Sequence, residues 1–112
     1  MMEKRKKFLS DILNAINLID NFTKDITNFY DYQNDLKTQS AVERQLVIIG
    51  EALNKIKKIE TNFEIKKGKQ IIAFRNRLVH AYDSIDNSIV WAILKIHLYQ
   101  LKKEITKHKD SN

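Results

Sequence analysis

From Phe8 onward the apolar residues fall at Phe8, Ile12, Ala15, Ile19, Phe22, Ile26 and Phe29. This 4-3-4-3 spacing lays one stripe along one helix face and predicts a single long helix over about 3–30. At ~1.5 Å per residue it spans about 40 Å, the length of a small bundle. Asp31 to Gln39 is polar and interrupts the stripe. Ser40-Ala41-Val42-Glu43 then fits a capping box, in which the Ser and Glu satisfy free amides at a helix start. A second helix, 40–60, begins there or a turn earlier, with its stripe at Val42, Leu46, Ile49, Leu53 and Ile56. Glu60 to Lys69 is a charged connector, and a third helix runs over 70–82. Asp83-Ser84-Ile85-Asp86 reads as a turn that caps a fourth helix, 86–108, striped at Val90, Trp91, Leu94, Leu98, Leu101 and Ile105. Lys107 to Asn112 is expected to fray. No alternating run is long enough for a strand, so the expected fold is all-α, an antiparallel four-helix bundle.

At 112 residues the chain is expected to form one domain, 1–112. With no Pro and two Gly, helices rather than tight turns dominate. One of those glycines, Gly50, sits inside the second helix, where Gly costs ~1 kcal/mol relative to Ala. Either it is merely tolerated or something approaches its backbone closely. The absence of Cys excludes disulfides, thiolate metal sites and cysteine nucleophiles. The basic N-terminus is followed by a stretch broken by Ser10, Asp11, Asn14, Asn17 and Asp20, unlike a signal sequence, and no apolar run has membrane-spanning length. A cytoplasmic protein is expected. The formal charge of +6 favours a polyanionic partner such as RNA, although a lysine-rich surface also serves solubility alone.

The third helix is apolar on two sides. With Arg75 at zero and ~100° per residue, Ala81, Phe74, Leu78, Ile71 and Tyr82 fall between about 240° and 340°, the face expected to enter the bundle. Val79, Ile72, Asp83, Asn76, His80 and Ala73 fall between about 40° and 160°. A second face of small and apolar residues around an Asn and a His suits contact with another chain, so a homodimer is expected. His97, at the edge of the fourth helix's stripe, and His108, in the tail, read as structural or surface residues. His80 can move a proton near neutrality, and Arg75 can supply fixed positive charge to a phosphorane-like transition state. Five residues apart, the two project ~140° from each other and are offset by about 7.5 Å, so one copy converges poorly on one phosphate. Two copies across a dimer axis would bring two such pairs to one cleft. No second ligand lies suitably spaced from His80, Asp83 being the nearest, so no metal is expected. No Gly-rich phosphate loop is present either.

The string Arg75-Asn76-Arg77-Leu78-Val79-His80-Ala81-Tyr82, together with Ala41-Val42-Glu43-Arg44 and Ile49-Gly50-Glu51-Ala52, resembles the HEPN superfamily and within it the HepT-like toxins, over nearly the whole chain and in the same order. The resemblance implies a HEPN-like bundle and the toxin subunit of a toxin–antitoxin pair: a homodimeric endoribonuclease without metal or cofactor. Paired Arg75 and His80 would cleave RNA to a 2′,3′-cyclic phosphate, with Asn76 supporting them. Arg77 and Arg44 are possible RNA contacts. It further implies a partner, a minimal nucleotidyltransferase antitoxin of the MntA type that uses ATP to transfer AMP to Tyr82. The alternative is a non-catalytic subunit that binds and positions that nucleotidyltransferase. Where many relatives carry Trp or Pro in the connector, this chain has Asn62-Phe63-Glu64-Ile65.

Overall fold

The computed structural model describes residues 2–111, the side chains of Met2 and Tyr82 excepted. The elements are α1 (Met2–Thr23), α2 (Phe29–Gln33), α3 (Leu36–Ile59), α4 (Gly68–His80), a 3₁₀ turn (Tyr82–Ser84), α5 (Asn87–Ala92), a π-helical turn (Ile93–His97) and α6 (Leu98–Asp110). No strand occurs among the described residues. The architecture is the all-α bundle expected, with α5, the π turn and α6 forming the fourth rod.

The first helix is shorter than its stripe. Thr23 donates its hydroxyl to the Ile19 carbonyl at 2.8 Å, and the chain tightens to three-residue bonds, Ile26 N to Thr23 O at 3.0 Å. Asn28 then starts a new helix, its Oδ1 accepting from the Asp31 amide at 2.9 Å. Thr and Asn compete with the helical ladder for backbone groups, so α1 stops well before Tyr30. Phe22, in the predicted stripe, is exposed, but Ile26 packs against the core and Phe29 lies on Trp91 with ring centroids 6.4 Å apart. The stripe therefore lapsed at Phe22 and resumed beyond the break in the helix.

The second long helix, α3, starts a turn before Ser40, the earlier of the two starts the sequence allowed. Its cap is Asp35, whose Oδ1 accepts from the Thr38 amide at 3.0 Å while Thr38 Oγ1 donates to Oδ2 at 2.6 Å. These bonds hold the Asp35 carboxyl below its ordinary range. Ser40 and Glu43 lie inside the helix. Gln39, also inside it and buried, donates Nε2 to the carbonyls of Tyr32 and Gln33 at 2.9 Å each, and Asn87 Nδ2 donates to its Oε1 at 3.3 Å. One amide thus ties α2, α3 and the start of α5 together. At the far end, α6 remains helical to Asp110, so the tail from Lys107 is ordered further than expected. His108 explains part of this, its ring lying 4.5 Å from that of buried Phe63.

The core joins Leu9, Ile12, Ile16 and Ile19 of α1 to Val42, Ile49 and Ile56 of α3 and to Val90, Leu101 and Ile105 of the fourth rod. Backbones approach closely between α1 and α3, between α3 and α4, and between α1 and α6, but not between α4 and either α5 or α6. One seam of the bundle is therefore open. It holds a cavity of about 250 Å³ lined by Ile71 and Phe74 of α4, Leu46 and Ile49 of α3, and Ile93 and Leu98 opposite.

Tyr32 is fully buried, its ring centroid 5.6 Å from that of Trp91 and tilted against it, and its hydroxyl has no partner. Burial pushes its acidity constant well above the ordinary phenol value, and the nearby Glu43 and Asp35 carboxylates add to this. An unpaired buried hydroxyl costs about 1–3 kcal/mol, so Tyr32→Phe, which keeps the ring, should leave stability equal or raise it by about 1 kcal/mol. Urea denaturation that instead shows a loss above about 1 kcal/mol would establish a hydrogen-bond partner for the hydroxyl.

Candidate active site on the third long helix

The site begins at Gly50, in the middle of α3. A Cβ built there would overlap Arg75 Cβ and stand 2.8 Å from its Cγ, with the Ile71 carbonyl oxygen at 3.5 Å. The absent side chain is what admits α4. Of the two readings of this glycine, close approach is the one the structure supports: the stem of Arg75 lies in the space a side chain at 50 would fill.

That approach delivers the guanidinium to two acceptors. Arg75 Nη2 donates to Glu51 Oε1 at 3.1 Å, and Nη1 donates to Asn76 Oδ1 at 2.9 Å. Arg75 Nε–H is buried without a partner. The two side chains remain partly open to water, 26% for Arg75 and 40% for Glu51, so the pair contributes orientation more than stability, roughly 1 kcal/mol or less. Two of the five guanidinium N–H groups are engaged in these bonds, leaving charge and donors to offer a ligand.

Asn76 therefore stands where it was expected, in contact with Arg75. Glu51 was not foreseen as a site residue, although it lies in one of the segments that carry the family resemblance. Its sequence signal is its position beside a glycine in a helix interior, where a neighbouring helix can come close. His80 closes α4 and is exposed. The chain does not bring His80 to Arg75, in keeping with the divergence of the two positions around one helix. Arg77 and Arg44 are both exposed.

Two expectations for this helix are corrected. Ile72 does not belong to the outer face but packs against the core, leaving Ala73, Asn76, His80 and Val79, the last 39% exposed, as the outward positions. The helix also ends at His80 rather than at 82. Ser84 donates both its amide, at 3.0 Å, and its hydroxyl, at 2.9 Å, to the Ala81 carbonyl. Those bonds turn the chain into a 3₁₀ segment, so the backbone of Tyr82 sits in the turn beyond the helix. The Tyr82 side chain, the expected AMP acceptor, lies outside the described residues. Among the described residues no three His, Asp or Glu side chains gather to hold a metal ion, and no helix is long and apolar enough to cross a membrane.

An all-helical bundle that clamps an arginine beside a glycine, with a histidine five residues on, defines a class. The Ribonuclease HepT-like family pattern matches residues 12–108. A protein of Thermococcus cleftensis named as a ribonuclease HepT is 36% identical over 111 residues, covering 96% of this chain and 97% of that one. Two proteins of Methanocaldococcus jannaschii named as RNases are each 38% identical, over 109 and 107 residues and at least 93% of either chain. No solved structure matches the chain. The chain belongs to the HepT-like ribonuclease family.

Gly50→Ala sets two effects against each other: a gain of up to ~1 kcal/mol in helix propensity and an overpacking penalty of about 1–3 kcal/mol. Because the obstructing atoms are the rigid base of Arg75 rather than its flexible end, the penalty should win. The expected result is a net loss near 1 kcal/mol by chemical denaturation. A variant as stable as wild type would mean that α4 can slide away from α3 freely.

Proposed function

We propose that this chain is the toxin subunit of a toxin–antitoxin pair, an endoribonuclease that cuts RNA as a homodimer without a metal. The observation that carries this reading is the held arginine: Gly50 admits Arg75, and Glu51 and Asn76 orient it, on the same helix that ends in an exposed His80. A scaffold that only bound another protein would have no use for a guanidinium held in this way.

In the reaction, a neutral His80 imidazole accepts the proton of a ribose 2′-hydroxyl. The 2′-oxygen attacks the adjacent phosphorus, the bond from phosphorus to the 5′-oxygen breaks, and the departing oxygen takes a proton from the imidazolium of the second copy. The products are a 2′,3′-cyclic phosphate and a 5′-hydroxyl. Arg75 neutralises the charge that builds on the phosphoryl oxygens, a contribution of a few kcal/mol for a well-placed donor. Because Arg75 points toward α3 while His80 faces outward, one copy supplies half of the arrangement. The open apolar seam along α4 is a surface that a second copy could cover, and Val79 and Ala73 are exposed on the outer face of the same helix.

Silencing falls to a nucleotidyltransferase antitoxin that transfers AMP from ATP to the Tyr82 oxygen and releases pyrophosphate; this chain itself needs no ATP. An AMP group two residues beyond His80 adds bulk and negative charge where RNA phosphates must sit.

His80→Ala should remove RNA cleavage and growth arrest by the lone subunit, with the dimer intact by sedimentation. Wild-type protein free of AMP that cuts no RNA at any concentration would refute the enzyme reading and favour the non-catalytic partner subunit. A sedimentation mass of one chain would refute the shared site. Separately, incubation with the antitoxin and ATP should add one AMP, assigned by peptide mapping to Tyr82, with loss of cleavage. An adduct on another residue, or none, removes Tyr82 from that role.

A further inference from the structure

Along α1 and the fourth rod run two clefts, of about 820 and 480 Å³, which share Asp20 and Leu94 and so form one groove. Five lysines line it, Lys24, Lys95, Lys102, Lys103 and Lys107, against the carboxylates of Asp20 and Asp110. No residue of α4 contributes to either cleft. A large part of the excess positive charge of the chain is therefore gathered at a distance from the proposed catalytic residues.

The lysines are interleaved with aromatic rings. Lys95 Nζ stands 4.6 Å from the centre of the Trp91 ring, and Lys103 Nζ stands 5.5 Å from that of Tyr99. Tyr99 is 72% exposed, so its ring is open to solvent. Lys95 and Lys107 are separated by about 18 Å of helix at ~1.5 Å per residue. A row of ammonium groups spaced along a groove, with a solvated ring among them, has the chemistry that single-stranded nucleic acid requires: cations follow the phosphates and a base stacks on the ring.

We propose that the groove between α1 and α5–α6 is a second RNA-binding surface, holding a single-stranded part of the substrate away from the point of cleavage. This rests on the ribonuclease reading for the identity of the nucleic acid. An acidic protein would satisfy the lysines but would leave the Tyr99 ring without its stacking partner, and that difference decides between the two.

The test is fluorescence anisotropy of the full-length protein with a labelled 2′-O-methyl oligouridylate, which has no free 2′-hydroxyl and cannot be cut. Tyr99→Ala should weaken binding at least fivefold, the lower end of the range for loss of one base–aromatic stack. The pair Lys102→Gln and Lys103→Gln should reduce the slope of log affinity against log salt by about 1.4, two single-strand phosphate contacts at ~0.7 each. Lys4→Gln with Lys37→Gln, the same loss of charge at exposed positions elsewhere, should leave the slope unchanged. Equal weakening by both lysine pairs means diffuse attraction and overturns the proposal, as does an unaltered affinity in Tyr99→Ala. Competition by poly-glutamate as effective as that by unlabelled oligonucleotide would assign the groove to an acidic protein instead. Cleavage of a dinucleotide substrate, too short to reach the groove, should be the same in wild type and Tyr99→Ala; its absence in wild type would count against the ribonuclease reading and not against the groove.

Discussion

The contact between Arg75 and the bare backbone of Gly50 sets the distance at which α4 lies on α3, and the site inherits its geometry from that distance. A glycine inside a helix weakens it by ~1 kcal/mol, and here the weakening is offset by burial of the aliphatic stem of an arginine against the neighbouring helix. The arrangement has a chemical consequence. A guanidinium on a free stem would sweep through many rotamers, losing entropy whenever it met a phosphate. With its base pinned at Gly50 and its head bonded to Glu51 and Asn76, much of that ordering is complete before any ligand arrives.

The same contact makes α4 a one-sided element. It packs on α3 and leaves α5 and α6 at a distance, so the bundle closes on three of its four edges. An apolar gap flanked by Phe74, Ile71 and Ile93 is a poor surface to leave in water. The proposed homodimer gives that gap a reason to exist: the helix that carries the reactive groups is also the one left short of neighbours. Stability of the fold and assembly of the site then draw on the same uncovered residues.

Much of this was legible in the sequence because burial is periodic. The stripes of α3 and of the fourth rod, from Val42 to Ile56 and from Val90 to Ile105, are the residues that fill the core. Periodicity failed where the chain broke and then resumed burial in phase. Ile26 and Phe29 continue the α1 spacing although Thr23 and Asn28 have ended one helix and begun another, since a stripe records which residues are buried and not whether the backbone between them is helical. The start of α3 was legible only to within a turn: Ser40 fits a capping box, but the cap is Asp35, the earlier of the two starts the sequence left open. At the site, Arg75, Asn76 and Gly50 could be singled out from one strand of text. Glu51 could not be given its part, because its partner is 24 positions away and the two meet only when the helices pack.

The end of α4 bears on how such a site can be regulated. His80 is the last helical residue, and Ser84 folds the following residues into a 3₁₀ turn by bonding back to Ala81. A tyrosine within the helix would have been held to one direction by its turn, and a modifying enzyme would have had to reach it against the flank of the bundle. The turn that begins at Tyr82 continues through exposed Asp83 and Ser84, and it starts two residues after the histidine. On the proposed mechanism, the break in the helix thus separates the two demands placed on this stretch. Arg75 needs a rigid helix to be aimed, and Tyr82 needs a departure from it to be reached.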